Sequence, residues 1–514
     1  MLNWFKGEKV DHPLANAREL KRVVEGFPAR DPLKTLEDAC YWLDSVDEAE
    51  AYKVERRFEV IDQLDSATRK AQERVRHAYH AHTQDELAQE KRIWKVATDF
   101  WNSLGTAYLT CVRQAQDTGA MTQTFKPRVS LLAARTTHAL RQQMHWVLMR
   151  YGVLRAEFWS DMALCARLAE SSDTADKPLE MYADGGAPSS YALELLRTMM
   201  FWAASPSGLS PLEQDIAERL VGHYAPMYRL GTKPWPGCDY CFDLDAARPP
   251  LRFSAAVPVS AATRYFDGGG VWQAVQAQAA DTGVADVLPQ GVDWGPSADG
   301  PSVARVLKHV GLNWAKEMPA RAAVRRRTAM RLLVTHGYQN VMAAIEPGVS
   351  EGLDFSATLS HDAWIAEDVS PGGYGVIVPA GKGEWLRVGA LVALRTETES
   401  AWEVGIVRRV KSDEHRQHRV GIQLISKSAV LIYLRNSSSA GQGGRRQTAL
   451  LLAARPSRTG SLHIVARRDL FDGRESLEAT YGEPATTVTL DPGGVVETGQ
   501  DFDWLRYKLL DTVL

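Results

Sequence analysis

The sequence predicts an α+β protein: an all-helical N-terminal region, then an antiparallel β-barrel and a further β-rich C-terminal segment. Three observations carry this reading. Apolar residues recur at helical spacing through about the first 170 residues. Prolines and glycines multiply over 231–300, where short runs alternate with turns. From Arg331 onward the apolar period switches to two. The expected divisions are a helical domain over 1–170, a helical and irregular domain over 187–318, a barrel over 319–430, and a second barrel or extension over 431–514.

Each element follows from local pattern. In "DPLKTLEDACYWL", Asp31 can cap a helix that opens with Pro32, and Leu33, Leu36, Cys40 and Leu43 share one face. Phe58, Ile61 and Leu64 repeat the pattern, and Trp94, Phe100, Trp101, Leu104 and Tyr108 continue it. Such aromatic stripes are expected to pack antiparallel helices together. A polar break near 171–190 precedes a capping-box start at Ser210, Pro211 and Glu213. "PSVARVLKHVGLNWAKEM" is helical again and ends near Pro319. The β region reads "WIAEDVS", "YGVIVP", "ALVALRT", "WEVGIVRRV" and "HRVGIQLIS", then "AVLIYLR", "TALLLAARP", "SLHIVARR" and "TTVTL". That cadence of short strands between turns is the pattern of small barrels. "FDWLRYKLLDTVL" is expected to close the chain as a helix.

Composition bounds the function. At 514 residues the chain exceeds one core, and 45% hydrophobic with 24% charged residues is ordinary for globular domains. A net charge of −3 gives no general attraction to nucleic acid or anionic membranes, so any basic site is local. The five cysteines are scattered and odd in number, which fits a reducing compartment. The opening residues show no signal peptide, and the most apolar run, "YALELLRTMMFWAA", is cut by Glu194 and Arg197. The expectation is a cytoplasmic protein with no membrane span.

One stretch breaks the ordinary pattern. "ARAAVRRRTAMRLLV" sets Arg321, Arg325, Arg326, Arg327 and Arg331 at the threshold of the first strand. So much repulsion has to be relieved by water, by an internal carboxylate or by a ligand. Downstream, "DVSPGG" places Asp368, Ser370 and Gly373 in a D-x-S-x-x-G spacing. The pair of motifs resembles the PilZ domain, the bacterial receptor module for cyclic di-GMP. "WLRVGALVAL", "WEVGIVRRV" and "HRVGIQLIS" are similar to its later strands, and the likeness spans residues 319–430.

The resemblance implies that Arg326, Arg327, Arg331, Asp368, Ser370 and Gly373 bind cyclic di-GMP. The chemistry agrees: guanidinium forks pair with phosphate or with guanine O6 and N7, and a carboxylate accepts from a guanine edge. Arg321 and Arg325 form a second R-x-x-x-R, so the register is open; Arg327 and Arg331 are preferred because they adjoin the strand. Cyclic di-GMP is the only ligand implied, with no cofactor or metal. The expected function is a receptor that relays ligand binding to its helical region and a protein partner. The rival is a PilZ-like scaffold that binds protein only, its arginines paired to internal carboxylates.

Other features ask for less. Cys238 and Cys241 have C-x-x-C spacing without a second pair to complete a zinc site. "DGGG" at 267–270 lacks the lysine of a phosphate loop, and His145 is expected to be structural. No nucleophile, base and acid stand together in the sequence, so no enzyme is expected.

Overall fold

The computed structural model describes residues 10–510 apart from 82–86, 118–124, 184, 255, 283–287, 318–322, 347–360, 380, 382, 384, 438–445, 453–460, 472 and 483. Chain contacts divide the protein into two compact units. One comprises Met1–Pro206 with Pro211–Met318, the other Pro319–Leu514 with Ser207–Ser210.

The first unit is helical: α1 (Ala17–Glu25), α2 (Pro32–Glu48), α3 (Val54–Ala81), α4 (Leu87–Asp117), α5 (Val129–Met149), α6 (Phe158–Ser171), α7 (Tyr191–Ala203) and α8 (Pro211–Tyr224). Asp31 caps α2 by accepting from the Lys34 amide at 3.0 Å, with proline following as the sequence predicts. The aromatic stripes are core: Phe58, Phe100, Leu104 and Tyr108 are fully buried. The irregular region holds four short strands, β1 (Arg229–Gly231), β2 (Tyr240–Asp243), β3 (Leu251–Arg252) and β4 (Thr263–Asp267). They form one sheet in the order β1-β4-β2-β3, followed by α9 (Val271–Thr282) and α10 (Gly300–Trp314).

The helical core also encloses charge. Asp65 on α3 receives Arg135 at 2.5 Å and the Tyr108 hydroxyl at 2.9 Å. Asp215 and Glu218 on α8 are gripped by Arg76 of α3, with Arg219 also on Asp215 and Arg141 of α5 on Glu218. Buried charges survive only when paired this way.

The second unit consists of two closed barrels joined through a helix. The first contains β5 (Arg326–His336), β6 (Asp362–Ser370), β7 (Gly373–Val378), β8 (Leu391–Thr396), β9 (Glu403–Ser412) and β10 (His418–Ser426), with α11 (Tyr338–Ile345) after β5. The second contains β11 (Ala429–Asn436), β12 (Gln447–Leu452), β13 (Ser461–Arg467), β14 (Leu477–Tyr481), β15 (Thr486–Thr498) and β16 (Phe502–Leu509). Both are antiparallel throughout. Around the first, strands run β10-β7-β6-β5-β8-β9, and around the second β11-β12-β13-β16-β15-β14. Numbered within each barrel, both cycles read 1-2-3-6-5-4. The C-terminal segment is therefore a second barrel wound as the first one is.

One expectation fails here. Residues 502–509 form strand β16, not a terminal helix. The segment pairs with both β13 and β15, and Leu505 and Tyr507 point into the core while Arg506 and Lys508 are exposed. Burial thus alternates with the strand period.

The barrels share a core. Tyr338, Val341 and Met342 of α11 pack with Leu391, Ala393, Val404 and Ile406 of the first barrel and Leu450, Leu452, Val465 and Phe502 of the second. Asp501 accepts from the Tyr338 amide at 2.6 Å, and the Tyr338 hydroxyl donates to the Thr448 carbonyl at 2.8 Å. Arg408 of β9 grips Glu497 of β15 with both fork nitrogens, at 2.5 and 2.6 Å.

Candidate ligand site on the first barrel

Strand register brings the two motifs together. Arg326 and Arg327 open β5 opposite Val369 and Asp368 of β6, and Arg331 lies opposite Ile365. Inward positions of these strands are Leu332, Val334, Trp364 and Ala366, all buried, so Arg331 and Ile365 face outward. An irregularity in β6 between Ala366 and Asp368 shifts the alternation by one residue. Asp368 consequently sits on the outer face opposite Gly375, where unshifted alternation would turn it inward.

Two glycines hold this turn, for different reasons. Gly373 has φ +153°, and a Cβ there would lie 1.9 Å from the Ile422 carbonyl oxygen of the paired strand. Its role is to let β7 approach β10. Gly375 is different: a Cβ would lie 2.7 Å from both Asp368 carboxylate oxygens. The carboxylate therefore lies flat over the space that Gly375 leaves. The Ser370 hydroxyl donates to the Gly373 carbonyl at 3.3 Å, closing the turn.

The arginines divide by partner. Arg325 Nη1 is 2.7 Å from Asp368 Oδ1, and both side chains are about a third exposed, at 39% and 31%. Arg331 Nη1 is 3.2 Å from Glu397 Oε1, with both partners more than half exposed, so the pair is weak. Arg326 and Arg327 are exposed and make no ion pair with any described residue. Arg321 lies outside the described residues. Arg325, expected only as an auxiliary contact, is the arginine that engages Asp368. Gly375 was not singled out, although the sequence offered it as the second glycine of "GYG" in "DVSPGGYGV".

The sequence of the second barrel does not repeat these residues at the matching positions. β11 follows "KS" with no arginine cluster before it, and between β12 and β13 the sequence reads "RPSRTG". Arg455, Ser457 and Gly460 keep the motif's spacing with arginine where the first barrel has aspartate.

Elsewhere, His145, Asp215 and Glu218 form the metal-compatible group found among the described residues. Their carboxylates are already neutralised by Arg76, Arg141 and Arg219, so a divalent ion there would add uncompensated buried charge. Cys238 and Cys241 are free thiols in and beside β2. Burial pushes the Cys238 thiol up to about 11 and raises that of Cys241, the opposite of thiolate activation. No helix among the described residues is long and apolar enough to cross a membrane.

The architecture now meets two matches to known families. Residues 18–234 match "Cyclic-di-GMP receptor FimW, N-terminal domain", and residues 313–430 match "Cyclic-di-GMP receptor FimW, middle PilZ domain". The second contains the arginine arm and the whole first barrel; the first covers α2 to α8 entire. No curated protein matches the chain. With both domains present in order, on a helical unit and a closed barrel, the chain belongs to the FimW family of cyclic-di-GMP receptors.

Proposed function

We propose that this chain binds cyclic di-GMP on the outer face of its first barrel and relays that event to its helical unit and a protein partner. The observation that carries the reading is the placement of Asp368 over Gly375, beside Arg325, Arg326 and Arg327. A carboxylate presented flat on a bare strand can accept from the N1 and N2 edge of guanine. Arginines with no competing carboxylate are free to take phosphate or stack on a base. In this reading Arg325 leaves Asp368 when ligand arrives, and Arg327 and Arg331 act as the clamp, with Arg326 beside them. Ser370 supports the turn, and Gly373 permits it.

The relay rests on chain order. α10 ends at Trp314 and β5 begins at Arg326, so the arginine arm lies at one of the chain connections between the two units. A dianion that neutralises Arg325, Arg326 and Arg327 holds them on the barrel and changes the freedom of what they join. Isothermal titration of the folded chain with cyclic di-GMP, GTP and cyclic AMP tests the first half. Selective heat with cyclic di-GMP is expected; no heat contradicts it. Hydrogen exchange tests the second. Protection should rise around 323–335 and change at some surface of 200–317. Change confined to the barrel would leave binding intact and remove the relay.

A further inference from the structure

The face that carries Asp368 continues beyond β7. Gly375 is in register with Gly421 of β10, and Gly421 with Arg409 of β9. Residues in register on neighbouring strands point the same way, so Arg327, Asp368, Gly375, Gly421 and Arg409 form one row across the outside of the barrel. An ideal Cβ on Gly421 would lie 3.5 Å from the Arg409 Cβ, which confirms the shared side. The middle of this row is two adjacent glycines. Strands lie about 4.8 Å apart, so about 14 Å of sheet separates Asp368 from Arg409, floored by bare backbone. The next row along carries Ile365, 52% exposed, and Ile377, a low apolar edge beside the floor.

Partners separate Arg409 from its neighbours. Arg325 has Asp368, Arg331 has Glu397, Arg408 has Glu497, and Arg419 is 3.8 Å from Glu367. Arg409 is exposed and makes no ion pair among the described residues, like Arg326 and Arg327 at the opposite edge. Its backbone is also fixed. Arg408 is the extra residue at the β9–β10 register shift, and it is held by Gln423 at 2.7 Å as well as by Glu497. A bulge pinned on both sides re-aims the residue after it.

We propose that Arg409 is a second basic wall of the nucleotide site, that Gly375 and Gly421 are its floor, and that the bound dinucleotide spans β6, β7, β10 and β9. This rests on the reading of the first barrel as the cyclic di-GMP site. The ligand's chemistry fits two walls: it has two phosphates on opposite sides of its ring and two flat guanines. One phosphate meets the Arg325–Arg331 arm, and the other meets Arg409 across a floor flat enough for a purine.

The test is titration of the full chain with cyclic di-GMP, using wild type, Arg409→Ala, Arg409→Lys, Gly421→Leu and Asp368→Ala. Arg409 is exposed, and a Cβ on Gly421 makes only an ordinary contact, so these variants should keep the fold, checked by circular dichroism and melting. Loss of a charge-assisted contact predicts weakening of about tenfold or more for Arg409→Ala, with partial retention in Arg409→Lys. Gly421→Leu should weaken binding comparably by filling the floor. Affinities of Arg409→Ala and Gly421→Leu within twofold of wild type, alongside loss of binding in Asp368→Ala, overturn the second wall and leave the site. Failure of the wild-type chain to bind overturns both.

Discussion

Asp368 reaches the outer face because β6 takes one extra residue, and it stays there because Gly375 has no side chain. Gly375→Ala is therefore expected to displace the carboxylate and weaken cyclic di-GMP binding by about 2 kcal/mol, the scale of a lost charged hydrogen bond. Gly372→Ala, which would meet nothing within 4 Å, is the neutral control. Arg327→Ala and Arg331→Ala should each weaken binding by about 2 kcal/mol, and Arg321→Ala much less; a reversed ranking moves the clamp upstream. His145 gives a separate, ligand-free prediction. Burial pushes its imidazole down to about 4, despite Asp215 and Glu218 facing it from α8, with Arg76 and His80 on α3 opposing protonation. Between pH 6.5 and 4 the unfolded chain takes up a proton that the folded ring refuses. Stability is therefore full above pH 6.5 and falls by about 3 kcal/mol on descending to pH 4. His145→Gln should flatten that part of the melting-versus-pH curve, with the other histidines as a common background.

At the scale of elements, the sequence showed type better than partner. Helices declared themselves by caps and stripes, as with Asp31 before Pro32 and the run from Phe100 to Tyr108. Strands β6 to β10 declared themselves by alternation. The chain end did not, because Phe502, Leu505 and Leu509 also fit a helical face; only pairing with β13 and β15 decides between the periods. For the candidate site, the resemblance to PilZ domains implies Arg326, Arg327, Arg331, Asp368, Ser370 and Gly373, and strand register places Arg327 opposite Asp368. Arg409 could not be named, because its relation to Asp368 exists only through three strand pairings. Deleting the extra residue of β6, Glu367, tests this scale directly: Asp368 would then follow inward-facing Ala366 and keep its outward place opposite Gly375, so binding should survive, and its loss in a folded variant would contradict the register.

Across the second unit, two barrels with one strand order share a core and differ in chemistry. The first carries arginines and an aspartate on a glycine floor. The second keeps the winding, while its corresponding sequence has arginine at the aspartate position. Leu450, Leu452, Val465 and Phe502 cover α11 and the first barrel, so a chain truncated after residue 430 should expose that surface and aggregate, where the full chain stays monodisperse. The intact pair is expected to melt as one cooperative step. A stable, ligand-binding truncation would show the second barrel to be dispensable for the site. The central claim is that the face around Asp368 is the cyclic di-GMP site, and isothermal titration of wild type beside Asp368→Ala tests it most directly. Asp368 is on the surface and outside the core, so both proteins should melt alike. The account predicts saturable heat for wild type with one set of sites and none for the variant at the same concentrations. Equal binding by the two folded proteins would contradict it.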